Sequence, residues 1–419
     1  MAKISKKDSS ILIANILDHF DTAIYGLLAP ILAPLFFPKF IPEVQLILAY
    51  SVLATSLFTR PLGAFIFGIL AKNSGPAIAL TYSLMGVAIT TFFIGCLPTY
   101  ETLGWIAPFC LILLRMIKGL CASGESTIAS LYIIENKPKA ISVSHSNFYN
   151  STTVLGILLA SLITVIVTNF KANEYLWRIP FLLGAFTGFI AYRLRKELRY
   201  FEKQKTSIFK FYSFSNLIFL WKNKYLVLRI AIIDGFSYLT YSVPFVFMNA
   251  FIPLISSISL ESMMYYNSIL LILDFLLIPI ISKIIRRFKF ASVMILSSFI
   301  FSFTLPFLFY YAENSSIYYV TFIRIWIIIL GVTYLTPLNV WLNSLFNSND
   351  KYFLIGIGRS LGSTIIGRSL PMICLSIWHF THSIFLTILY ISLLGIMTLI
   401  TIISLKNVSN ISLQSKLND

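Results

Sequence analysis

The stretch Asp18–Pro30, "DHFDTAIYGLLAP", sets two aspartates, a histidine and a tyrosine inside a largely apolar run from Ile11 to Phe37. A bilayer span takes about 20 residues, and the apolar stretch of a cleavable signal peptide only about 7 to 15. The run is therefore expected to be an uncleaved first transmembrane helix. Farther along, Asp234–Pro244, "DGFSYLTYSVP", repeats the spacing: Asp21 and Tyr25 are answered by Asp234 and Tyr238 at an offset of 213 residues, each pair followed by a proline. Arg115 is answered by Arg324 at 209, and Lys72 by Lys283 at 211. Three similar offsets indicate an internal duplication.

The whole chain is suited to a bilayer. Of its 419 residues 58% are hydrophobic and 11% charged, against roughly 25% charged in soluble domains. Apolar runs bounded by polar or Pro/Gly breaks predict twelve spans, with cores at 11–36, 45–70, 77–97, 105–131, 147–168, 179–194, 226–255, 263–285, 291–311, 318–341, 353–377 and 383–405. With the N-terminus inside, 23 of the 32 basic residues fall in inner segments, three in outer loops and six within spans. Basic residues collect in cytoplasmic loops, so both termini are expected in the cytoplasm.

The expected fold class is thus all-α integral membrane, with twelve transmembrane helices in two pseudo-symmetric six-helix bundles. Residues 1–194 form the first bundle, 195–225 a basic cytoplasmic linker, 226–405 the second bundle and 406–419 a short cytoplasmic tail. Parallel six-helix repeats are an architecture of secondary transporters, with substrate bound near the midplane. The net charge of +16 reads as a topological signal facing anionic lipid; no basic soluble module points to nucleic acid.

The four cysteines, Cys96, Cys110, Cys121 and Cys374, lie in apolar runs without metal-ligand spacing and read as small buried hydrophobes. No Ser/His/Asp constellation, metal-ligand pair or Gly-rich nucleotide loop occurs, so neither an enzyme nor a cofactor is expected.

Ionisable groups at membrane depth are costly and usually mark function. In "LLRMIKGLCASGES", Leu113–Ser126, the residues Arg115, Lys118, Ala122 and Glu125 fall at i, i+3, i+7 and i+10, one stripe of one helix. The stripe reads either as an internal charge network that only holds helices together or as the wall of a cavity that binds an anionic group. Asp18, Asp21 and Tyr25 form a second stripe. Asp21 reads either as a proton site or as the counter-ion of Arg115 or Lys118. His19 is an interfacial histidine or a pH switch. Asp234, Asp274 and Arg324, with Arg359 and Arg368 in span eleven, complete the set in the second half; Arg359 sits where it can snorkel to the cytoplasmic edge. The small and polar runs of spans five and eleven allow close helix approach, while Asn147, Asn150 and Thr153 equally suit a substrate route.

Several segments together resemble the metabolite:proton symporters of the major facilitator superfamily. They are "DHFDTAIYGLLAPILAPLFFP" from Asp18, "RPLGAFIFGIL" from Arg60, "LLRMIKGLCASGESTIASLYIIENKP" from Leu113, "WRIPFLLGA" from Trp177 and "NVWLNSLFNSNDKYFLIGIGRSLGSTIIGRSLP" from Asn339. The resemblance implies inner-membrane, proton-driven uptake of a small polar metabolite, either a zwitterionic osmolyte such as proline or betaine or a di- or tricarboxylate, by a protein acting as a monomer. It implies proton coupling at Glu125, Asp21 and Asp18. Substrate binding is expected at Arg115, Lys118, Tyr25 and Arg368, with gating or structural roles for Arg60, Gly68, Lys72 and Gly75.

Departures from the family pattern qualify this. In "GILAKNSGPA" Lys72 replaces the family's acid, and the equivalent "ISKIIRRFKF" also lacks its acid, so gating is expected to be altered and a non-transporting protein of the same fold is the alternative. Lys118 stands where the family has glutamine. The terminal "KNVSNISLQSKLND" has no heptads, so osmotic regulation through a C-terminal coiled coil is not expected.

Overall fold

The computed structural model describes residues 6–55, 59–63, 66–67, 76–134, 139–169, 175–184, 220–313, 315–345 and 351–415. Among these residues the backbone is helical with short turns and contains no strand. In lipid every backbone N–H and C=O must be satisfied within the segment, which a helix does and an open strand cannot. Ten described helical segments are long and apolar enough to cross a membrane, and Tyr82–Cys96 is a shorter apolar one.

The helices are α1 (Lys6–Phe36), α2 (Pro42–Ala54), α3 (Pro76–Cys96), the short α4 (Tyr100–Leu103), α5 (Ile106–Ile134) and α6 (Lys139–Asn169). Residues 195–219 of the expected linker lie outside the described residues, and helix begins within its last residues, with α7 (Lys224–Ser242), α8 (Met248–Ile255), α9 (Leu260–Ile285), α10 (Phe290–Tyr310), α11 (Ile317–Ser344), α12 (Lys351–Gly362), α13 (Leu370–Thr381) and α14 (Ile384–Ser415) following. α7 is joined to α8, and α12 leads toward α13, through π-helical turns at Val243–Phe247 and Ser363–Arg368. The first holds Pro244, which has no N–H to donate, and a wider turn accommodates such a residue. The last helix continues to Ser415 instead of ending near Leu405.

The chain divides into two compact units, one of Met1–Lys224 with Ser259–Ile272 and one of Tyr225–Ile258 with Leu273–Asp419. In the first, α1 packs along α6 and α3 along α5; in the second, α10 packs along α14 and α11. The helices turn apolar side chains outward: Leu276, Ile280 and Ile284 recur every four residues on the exposed face of α9. Inward positions carry small polar groups such as Ser83, Thr91, Ser161 and Thr164. With lipid outside, apolar burial no longer sorts the faces, and small side chains and interhelical hydrogen bonds hold the helices together.

The glycine-bearing runs of spans five and eleven serve close approach. A Cβ at Gly156 of α6 would collide with the Ile16 carbonyl of α1, and one at Gly362 of α12 with the Ala231 carbonyl of α7. Beside the first contact, Asn15 Nδ2 lies 3.1 Å from the Tyr149 carbonyl, 3.0 Å from Thr152 Oγ1 and 2.9 Å from Thr153 Oγ1. Thr153 is thus part of the α1–α6 seam.

Overpacking a tight contact costs about 1–3 kcal/mol. Gly362→Ala is therefore expected to lower the apparent Tm of the detergent-solubilised protein, whereas Gly104→Ala, where a Cβ meets nothing within 4 Å but φ is +56°, tests backbone conformation alone. An unchanged Tm for Gly362→Ala would contradict the packing described.

Candidate functional site

The helix spacing of α1 and α5 builds one buried cluster in the first unit. Asp21 and Tyr25 lie four residues apart on α1, and Arg115 and Lys118 three apart on α5, so each pair shares a helix face. Lys118 Nζ is 2.6 Å from Asp21 Oδ2, with the two side chains 5% and 4% exposed, and Nζ also donates to the Asp21 main-chain carbonyl at 3.3 Å. One turn away, the Arg115 guanidinium lies over the Tyr25 ring, 4.2 Å from its centroid. Chain order reverses between the helices: 21 meets 118 and 25 meets 115, a two-rung ladder in which an ion pair and a cation–π contact alternate.

Both rungs are anchored. The Tyr25 hydroxyl donates to the Ala49 carbonyl of α2 at 3.0 Å, and the Tyr50 hydroxyl to the Gly26 carbonyl at 3.5 Å. Gly184 brings its backbone close to the carboxylate: a Cβ there would lie 2.8 Å from Asp21 Oδ1. Among the described residues Asp21 Oδ1 has no hydrogen-bond partner although it is buried. One oxygen of this acid therefore faces an ammonium and the other faces no donor.

Asp18 is buried, with Oδ1 likewise unpartnered and Oδ2 4.0 Å from His19 Nδ1. His19 Nδ1 lies 3.0 Å from the Asn15 carbonyl, so the imidazole is held along its own helix. Arg60 is buried near the end of span two. The side chain of Glu125 lies outside the described residues, although the α5 backbone runs through it; Gly68, Lys72 and Gly75 also lie outside. Arg368 is half-buried at the end of the second π turn and belongs to the second unit.

The second unit has a charge cluster of its own. Arg359 Nε donates to Asp234 Oδ1 at 3.0 Å and its terminal nitrogen to Asn339 Oδ1 at 2.6 Å. Arg359 is thereby held inside the unit and does not snorkel to an edge, because a buried carboxylate offers a stronger partner than the interface. Asn339 carried no signal in the sequence, standing in a run with other asparagines. The Tyr334 hydroxyl donates to the Ile233 carbonyl at 2.8 Å, beside Asp234. Arg324 is wholly buried, and Asp274 lies buried on α9.

Comparison with known proteins places this geometry in context. Residues 10–195 match the family of sugar (and other) transporters. Relatives in Staphylococcus aureus are 33% identical over 160 residues, which make up 37% of this chain and 34% of theirs. The proline/betaine transporter of Salmonella typhimurium is 30% identical over 200 residues, 47% of this chain and 40% of its own. The chain thus matches between about a third and two fifths of the length of these relatives. Among solved structures, a D-xylose–proton symporter superposes with a TM-score of 0.71 over 96% of both chains at 14% identity. A major facilitator superfamily proton:xylose symporter does so at 0.70 over 95% of this chain and 94% of its own, at 13% identity.

Breaking one partner of a buried ion pair typically costs about 3–5 kcal/mol, because the other charge is left uncompensated. Lys118→Met is expected to lower stability by that order, and the double variant Lys118→Met/Asp21→Asn to recover most of it, as read by thermal unfolding in detergent. Equal losses in the single and double variants would contradict the pairing.

Proposed function

We propose that this chain, whose fold is that of the major facilitator superfamily, is a proton-coupled secondary transporter. It would import a small carboxylate-bearing metabolite, or a zwitterion of the proline/betaine kind, across a bacterial inner membrane by alternating access. The observation that carries the reading is the buried Asp21–Lys118 contact at 2.6 Å. The counter-ion of Lys118 is itself a carboxylate, so the site already accommodates the group a substrate would bring. When Asp21 takes a proton on Oδ1, which has no hydrogen-bond partner among the described residues, Lys118 loses its counter-charge at a buried position. An arriving substrate carboxylate replaces it. Loss of the proton restores the internal pair and displaces the substrate.

Arg115 supplies a second, fixed positive charge. Its guanidinium is held over Tyr25, and an arginine stays charged at all physiological pH values and can grip a carboxylate with two parallel donors. Tyr25 serves as a platform, since its hydroxyl is already given to Ala49. Glu125, on the same stripe of α5, is proposed as a further proton-handling group. The activities of the similar proteins, proline/betaine transport and xylose–proton symport, support a small polar cargo; the basic surplus at membrane depth favours one with a carboxylate over a neutral sugar.

Uptake of labelled proline, betaine, 2-oxoglutarate and citrate into proteoliposomes tests the reading. An imposed inward proton gradient should drive accumulation of at least one, and Lys118→Gln should reduce that uptake by tenfold or more. Properly inserted protein that moves none of them, with or without a gradient, would favour a non-transporting protein of this fold. Unchanged substrate preference in Lys118→Gln would sink the anion role of Lys118.

A further inference from the structure

The duplication places Asp21 and Asp234 at matching positions of α1 and α7, yet their basic partners do not match. In the first unit the partner comes from α5, where Lys118 follows Arg115 by three residues. In the second, the residue three beyond Arg324 is Ile327, so α11 offers no cation there. Arg359 of α12 supplies it instead, from a different helix. The second cluster is therefore built separately and not merely inherited from the repeat.

Its geometry resembles a loaded site. Asp234 Oδ1 accepts from Arg359 Nε at 3.0 Å. Asp234 Oδ2 is buried, and among the described residues no donor reaches it. The side chain is 2% exposed. Asn339 holds the far end of the guanidinium at 2.6 Å, so the fork stays in place if the acid is neutralised. Beside Asp234 stand Arg359 from α12 and Tyr334 from α11, whose hydroxyl is committed to the Ile233 carbonyl. α14 presents Thr398, within 3.5 Å of the Ile232 carbonyl, and α10 presents Phe301, whose ring meets Phe236. Arg359 is the cation paired with Asp234 among the described residues, and unlike a lysine it cannot discharge itself by losing a proton.

We propose that Asp234, Arg359 and Asn339 form a second exchange site, in which a proton on Asp234 and a substrate carboxylate on Arg359 replace the resident ion pair. The step balances: Asp234 gains one proton and becomes a neutral acid, and Arg359 keeps its charge. The incoming carboxylate, one negative charge, takes the place of the lost one. Because Arg359 cannot become neutral, substrate binding at this site requires the proton and release of the proton requires the substrate to leave. This extends the transport reading above and rests on it, adding a proton-binding acid and a carboxylate-binding arginine in the second unit.

The test compares wild type, Asp234→Asn and Arg359→Gln in proteoliposomes with labelled proline and betaine. Asp234→Asn mimics the protonated acid, so gradient-driven accumulation should fall at least tenfold while counterflow exchange stays within threefold of wild type. Arg359→Gln should lose both. Accumulation persisting in Asp234→Asn, or loss of counterflow together with accumulation in correctly folded Asp234→Asn, would overturn the proposal, the latter marking the pair as a strut. A measurement that needs no substrate accompanies it: on acidifying purified protein, an infrared carboxylic-acid carbonyl band should appear that is missing in Asp234→Asn. Absence of any such Asp234-dependent band overturns the proposal even if transport is intact. A wild type that moves neither probe but shows the band counts against the transport reading and not against the site.

Discussion

A single buried ion pair sets the terms for the first unit. Lys118 and Asp21 sit 2.6 Å apart with almost no exposure, on two helices that are largely apolar. Neither charge is tolerable there alone, since the effective penalty for an unpaired buried ion is several kcal/mol. The pair fixes how α1 and α5 face each other, and the second rung, Arg115 over Tyr25, follows from helix periodicity once the first is in place. Tyr25 then fastens α1 to α2 through Ala49, and Asn15, nearer the start of α1, fastens it to α6. The same constraint gives the site its chemistry, because a pair that is stable only when both charges are present can be opened only by exchanging a charge.

The two units solve one problem with different parts. Each buries an aspartate at the matching position, and among the described residues one oxygen of each meets no donor. The first supplies a lysine, a compact ammonium on a flexible stem, and the second an arginine clamped by Asn339. A lysine can release its proton when isolated, whereas an arginine cannot. The duplication therefore yields two acids of similar placement whose counter-ions respond differently to losing them.

Much of the helical architecture was legible in the sequence, because bilayer spans are long apolar runs. The helices at Phe290–Tyr310 and Pro76–Cys96 start and stop within a residue of the expected cores. The departures have physical causes. α14 runs to Ser415 because hydropathy marks where apolar character ends, not where a helix must stop. The π turns at Val243–Phe247 and Ser363–Arg368 leave no trace in composition. Within the site, periodicity groups Asp21 with Tyr25 and Arg115 with Lys118, but not which acid meets which base: the choice between Arg115 and Lys118 turns on less than one helical turn of register. Arg359 and Asn339 converge from α12 and α11, a relation that no spacing in the chain encodes.

The central claim is that the Asp21 carboxylate and the substrate carboxylate compete for one buried cation, so that proton and substrate bind together, and thermodynamic linkage tests it most directly. Substrate binding at Lys118 requires Asp21 to hold a proton, so the Kd for proline or betaine, measured calorimetrically across pH, should rise as pH rises, by up to about tenfold per unit for each proton linked. In Asp21→Asn, where no proton is needed, that dependence should lose one proton while binding itself persists. A pH dependence identical in wild type and Asp21→Asn would contradict the account.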